Sequence, residues 1–158
     1  KTKFAEGSAK FSPDGHWIAY ASDESGKPEV YVQPFPGLGP KVQISNIGWD
    51  PVWRPSGGEL YYRKGNSMMA VTVTKASPEF WSAPKELWKG NYSSGSGSSC
   101  GMPGMNSSSY DVTADGQRFL MVRDDDQISA TRINVVLNFA EEIKEKELKA
   151  KEKRSRQK

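Results

Sequence analysis

One segment, Phe11-Ser12-Pro13-Asp14-Gly15-His16-Trp17-Ile18-Ala19-Tyr20, constrains this chain more than any other, because it recurs. Trp53-Arg54-Pro55-Ser56-Gly57-Gly58-Glu59-Leu60-Tyr61-Tyr62 repeats it at an offset of 42 residues, and Val112-Thr113-Ala114-Asp115-Gly116-Gln117-Arg118-Phe119-Leu120-Met121 repeats the second copy at an offset of 59. Each copy is an apolar residue, a tight turn and an alternating strand. Proline presets φ at the turn, and glycine accepts positive φ. Asp14, Gly15, Gly57, Asp115 and Gly116 are therefore read as turn residues. A period of about forty residues holding several short strands predicts an all-β chain of propeller blades.

The spacing predicts four strands in each of the first two units. In the first, Ala9 to Ser12 is innermost, followed by Trp17 to Ser22, Glu29 to Gln33 and a short outer Lys41 to Ser45. In the second, Pro51 to Arg54, Glu59 to Arg63, Met68 to Thr74 and Pro84 to Trp88 follow the same plan. The Gly/Ser-rich run over 93–109 reads as a flexible insertion that displaces the third unit. That unit, 109–138, contributes Tyr110 to Thr113, Gln117 to Arg123 and Thr131 to Asn138, with no fourth strand. The three units thus span about 9–45, 49–90 and 109–138 within 1–138, a partial propeller. Phe139 to about Arg154 reads as a C-terminal helical arm within a charged tail, 139–158, with Glu early and Lys/Arg late, as the helix dipole favours.

Three blades leave an apolar inter-blade face at each end, so the chain is expected to find further blades, on a longer parent chain or in a second copy. The absence of an initiator Met fits a piece of something longer. Thr2-Lys3-Phe4-Ala5 is a candidate for the missing outer strand of an incomplete blade.

Composition narrows the function classes. No run approaches the roughly 18 apolar residues of a membrane span. Cys100 is the only cysteine, which rules out an intrachain disulfide and a cysteine zinc site. Residues 141–158 hold eight Lys/Arg and five Glu, the whole of the net charge of +3. The body carries 14 residues of each sign, which argues against a broad nucleic-acid footprint.

Residues 9–37, from Ala9-Lys10-Phe11-Ser12-Pro13-Asp14-Gly15 to Val30-Tyr31-Val32-Gln33, resemble the repeat of TolB-like (WD-type) bacterial β-propellers, and the resemblance reaches across 4–142. Trp49 to Tyr62, Met68 to Val71, Tyr110 to Met121 and Ile133 to Asn138 are similar to the closing section of the propeller found C-terminal to bacterial serine/threonine protein kinases and some transcriptional regulators. The resemblance implies a six- to eight-bladed sensor or scaffold on a longer chain, in the bacterial periplasm or the extracytoplasmic part of a membrane protein. Arg54-Pro55-Ser56-Gly57 and Thr113-Ala114-Asp115-Gly116 depart from its Ser-Pro-Asp-Gly turn, and no kinase motif is present.

Candidate chemistry is sparse. Gly97-Ser98-Ser99-Cys100-Gly101 matches G-x-S-x-G, but lacks the strand before, the helix after and a downstream His. His16 is the only histidine and has no second metal ligand beside it. Asp124-Asp125-Asp126 lacks the spacing of a calcium loop and reads as a solvated hairpin. Asn91-Tyr92-Ser93 and Asn106-Ser107-Ser108 match the glycosylation sequon, which has no role in a bacterial chain. Trp49, Trp53, Tyr92 and Tyr110 fall near the ends of innermost strands, where a propeller channel opens. Trp53 is assigned to the inter-blade core, while Trp49, Tyr92 and Tyr110 are the candidate ligand or partner contacts. Periodicity leaves the face of Trp49 open.

The expectation is a non-catalytic scaffold that binds a protein or small ligand, with no cofactor, metal or nucleic acid. An accessory propeller of a serine hydrolase and a self-assembling half-propeller are the alternatives.

Overall fold

The computed structural model describes residues 3–37, 39–73, 81–92 and 108–123, with 134–136 described as backbone strand. All regular structure among them is antiparallel β, in three sheets with no helix. The first holds β1 (Glu6–Phe11), β2 (Trp17–Ser22), β3 (Glu29–Pro34) and β4 (Val42–Gln43) in that order. The second holds β5 (Trp49–Trp53), β6 (Glu59–Lys64), β7 (Ser67–Thr72) and β8 (Lys85–Lys89). In the third, β9 (Tyr110–Val112), β10 (Phe119–Met121) and β11 (Asn134–Val136) pair in sequence order. The predicted helical arm, the run 93–107, Asp124 to Asp126 and the remainder of the tail lie outside the described residues.

The turns between first and second strands set this pattern. In the first blade the Gly15 amide donates to the Ser12 carbonyl at 2.9 Å, and Gly15 takes φ +73°. Asp14 Oδ1 accepts from Ser12 Oγ at 2.5 Å and from the His16 amide at 3.1 Å. The third blade copies the arrangement. Asp115 Oδ1 accepts from Thr113 Oγ1 at 2.5 Å and from the Gln117 amide at 3.0 Å. In the second blade no carboxylate stands in the turn, and two consecutive glycines, Gly57 (φ +78°) and Gly58 (φ +82°), carry it instead.

Strand alternation then sends side chains to opposite faces, and the sheets stack face to face. Between the first two blades, Ala19, Val30 and Val32 meet Leu60, Tyr62, Met69 and Val71. Between the second and third, Tyr61, Met68 and Ala70 meet Tyr110, Val112, Phe119 and Met121. The middle blade thus buries both faces, as central blades of a propeller do. Each such large apolar side chain contributes about 1.5–3 kcal/mol on burial. The innermost strands adjoin, with the Trp53 indole N–H donating to the Lys10 carbonyl at 3.0 Å and the Tyr110 hydroxyl donating to the Asp50 carbonyl at 3.1 Å.

Several expectations are corrected. The inner strands begin at Glu6 and Trp49, before the predicted Ala9 and Pro51. Register shifts between Gly7 and Lys10, and between Trp49 and Val52, interrupt the pairing, and Ser8 (φ +53°) and Asp50 (φ +60°) sit at positive φ there. A β-bulge of this kind breaks the period-2 pattern from which a strand start is read. Of the candidate outer strand Thr2-Lys3-Phe4-Ala5, Thr2 lies outside the described residues. Ala5 is tied to its own sheet, donating to Asp23 Oδ1 at 2.8 Å and accepting from the Asp23 amide at 3.2 Å.

The face of the first blade turned away from the second is not a bare apolar flank. Tyr20 and Tyr31 stack there at 5.8 Å, and the Lys41 ammonium lies 5.2 Å from the Tyr31 ring while pairing with Glu24. Glu29 is buried beneath, accepting from the Tyr31 hydroxyl at 2.8 Å, with Lys27 at 3.5 Å. Burial alone would raise its pKa; its hydrogen bonds and Lys27 reverse that and hold the carboxyl below its ordinary value.

Candidate functional site

The three innermost strands converge on one groove of about 550 Å³. Lys10 and Phe11 of β1, Val52 and Trp53 of β5, and Tyr110 and Asp111 of β9 line it. Lys10, Val52 and Asp111 occupy equivalent positions by the repeat offsets of 42 and 59, so one strand position presents an ammonium, an isopropyl group and a carboxylate in turn. Lys10 and Asp111 are exposed, and Trp53 and Tyr110 form the buried aromatic floor.

A polar cluster knots the second and third blades at the start of β5 and β9. Asp50, 0% exposed, accepts at Oδ2 from the Ser109 amide at 2.7 Å and from Ser109 Oγ at 2.5 Å. Desolvation raises the Asp50 pKa, offset in part by the Ser109 hydrogen bonds and by the charge of Arg63. Arg63 is itself 1% exposed, with Nη2 donating to the Gly65 carbonyl at 3.3 Å and the Tyr92 carbonyl at 3.4 Å. Burial raises the Tyr110 phenol well above its ordinary pKa, so it stays a neutral donor.

The predicted contacts distribute around this cluster. Trp49 is half-buried at its edge, and its indole nitrogen is enclosed without a hydrogen-bond partner. Tyr92 is half-buried, its ring 6.0 Å from the Arg63 guanidinium. Tyr110 alone of the three lines the groove. Trp53 takes its expected place in the inter-blade core and also borders the groove. Ser109, the boundary of the Gly/Ser-rich run and the third unit, is buried against Asp50. His16 is exposed on its turn, and the described residues contain no group of three metal-ligating side chains. Cys100 and its G-x-S-x-G frame lie outside the described residues.

Asp50 and Arg63 were missed by sequence reasoning. One signal was available: the repeat offsets place Ser8, Asp50 and Ser109 at a single position, which is the bulge of the inner strand in the first two blades. Extending the alignment three residues upstream of each turn would have paired Asp50 with Ser109.

No helix among the described residues is long and apolar enough to cross a membrane. No family model matches the chain, and no curated protein matches it. Among solved structures it is similar to TolB from Acinetobacter baumannii, at 15% identity and a TM-score of 0.38, over 87% of this chain and 45% of that one. The chain therefore spans under half the length of that protein.

Proposed function

We propose that this chain is a non-catalytic binding module, part of a propeller in a larger bacterial signalling protein, whose inner-strand groove receives an extended segment of a partner protein. The observation that carries this reading is the groove itself. About 550 Å³ is walled by three strands, with Lys10 of β1, Trp53 of β5, and Tyr110 and Asp111 of β9 among the residues that line it. Recognition surfaces combine aromatic anchors with a few placed charges in this way. Opposite charges on two of these strands fix the direction of an extended peptide, since its own charges must alternate to match.

Display selection of random peptides against the folded chain tests this, with Lys10→Glu/Asp111→Lys as the counter-target. Selected peptides are expected to lose about tenfold or more in affinity for the reversed protein. Peptides that bind both proteins equally would refute the groove as the site.

A further inference from the structure

The repeat places the same cleft at both blade joints, on the side of the β1–β2, β5–β6 and β9–β10 turns, but only one of the two is filled. At the second joint the Arg54 side chain fills it. A Cβ built on Gly116 would lie 3.1 Å from Arg54 Nε, 3.2 Å from Arg54 Cδ and 2.6 Å from the Tyr61 hydroxyl. The guanidinium pairs with Glu59 at 3.2 Å, and Tyr61 donates to the same carboxylate at 2.6 Å. At the first joint the repeat offset of 42 puts Ser12 in place of Arg54 and Trp17 in place of Glu59. Gly57, which matches Gly116 in sequence position and in φ, has nothing within 4 Å of a built Cβ. An open cleft of about 450 Å³ remains, bordered by Ser12, Asp14, Trp17, Trp53 and Gly57.

We propose that this first-joint cleft binds the guanidinium of an arginine side chain on a partner protein, supplying in trans the cation that Arg54 supplies in cis at the second joint. Two indoles and a carboxylate suit that group. Arginine stacks on aromatic faces and keeps its charge when partly desolvated. Trp17 and Trp53 are braced from behind by Trp81, at 5.5 Å and 6.0 Å, so the walls are set before a ligand arrives. Asp14 provides the negative charge. Its hydrogen bonds from Ser12 and the His16 amide hold it below the ordinary carboxylate pKa, so it is ionised at neutral pH. His16 is the other titratable group beside it. The cation's counter-charge has thus moved from the Glu59 position at one joint to the Ser56 position at the other, where Asp14 stands.

The cleft shares Trp53 with the groove but not Lys10 or Asp111, so its test is separable from that of the proposed function. Trp17 borders the cleft and not the groove, and its indole N–H resonance is the readout. A blocked Gly-Arg-Gly peptide should shift it saturably, whereas the citrulline analogue, equal in shape but neutral, should not. Asp14→Asn, which keeps the acceptor of the turn, should weaken binding about tenfold or more. Ser12→Arg, which installs the second joint's own cation, should abolish it. Lys10→Glu/Asp111→Lys should leave it unchanged. Equal shifts with arginine and citrulline, or wild-type binding in both Asp14→Asn and Ser12→Arg, would overturn the proposal. Binding of ethylguanidinium with none of the arginine peptide would overturn the assignment to a partner protein.

Discussion

The two blade joints are built on one repeat and use different chemistry. The first is apolar and aromatic: Trp17, Trp53 and Trp81 cluster around Leu60, Val71 and Val32, and one indole bond to the Lys10 carbonyl links the inner strands. The second has an apolar centre as well, around Phe119 and Tyr61, but polar groups close both of its ends. Asp50 and Ser109 close one; Arg54, Glu59 and Tyr61 close the other. An apolar joint tolerates sliding and leaves room, whereas a hydrogen-bonded one specifies register. On the side of the turns, the contrast explains why the cleft is open at the first joint and filled at the second.

The sharpest way to break the first joint is Trp53→Ala. It removes the largest buried side chain there and the bond to Lys10, and denaturant unfolding should show a loss of about 3–5 kcal/mol. A loss under about 1 kcal/mol would mean that the tryptophan cluster does not hold the blades. Paired alanines at Gly57 and Gly116 come next. Both residues have positive φ, so each substitution carries strain of about 1–2 kcal/mol. Only Gly116→Ala also collides with Tyr61 and Arg54, adding about 1–3 kcal/mol. Equal losses would erase the distinction between filled and open clefts.

Asp50 offers a smaller, pH-dependent effect. Its folded pKa is raised, so the native state holds the proton more tightly than the unfolded chain does. Stability from this group therefore falls as pH rises from its ordinary 3.8 through the folded value, and is level above it. Asp50→Asn should remove that slope, so that the variant gains on the wild type between acid and neutral pH. Parallel curves would show that Asp50 does not titrate in this window. The smallest effect belongs to Asp115. Its pKa is lowered by the Thr113 hydroxyl and the Gln117 amide, so its contribution is present above 3.8 and lost as pH falls through the lower folded value. Faster amide exchange at Gln117 in Asp115→Ala, with the melting transition hardly moved, is the expected sign. A large fall in melting temperature would contradict it.

Much of this architecture was legible in the turns. Three glycine-containing turns at offsets of 42 and 59 placed β2, β6 and β10, because positive φ leaves few residue choices. The bulges at Ser8 and Asp50 stayed hidden, since a serine gives no sign of positive φ and an aspartate, though it tolerates one, is far more often found without it. The burial of Arg63 and Asp50 was likewise unreadable, because a charged residue in a strand is ordinarily taken to face water. The Arg54 cleft was noticed only as a departure from the usual turn. Its meaning depends on which side chain lies across from it, and that is a property of two blades rather than one.

The covered flank of the first blade bears on how such a molecule behaves in a crowd. Stacked sheets add neighbours head to tail, and a contact that does not close into a ring grows into a fibre. Leu120, exposed on the third blade and pointing away from the second, is the apolar end available for such growth. The surface it would have to meet in another copy carries the Lys41–Glu24 pair and the buried Glu29. Drying the Lys41–Glu24 pair against a leucine costs several kcal/mol per ion with no new partner in return. Stacking of a second copy on this face is therefore disfavoured.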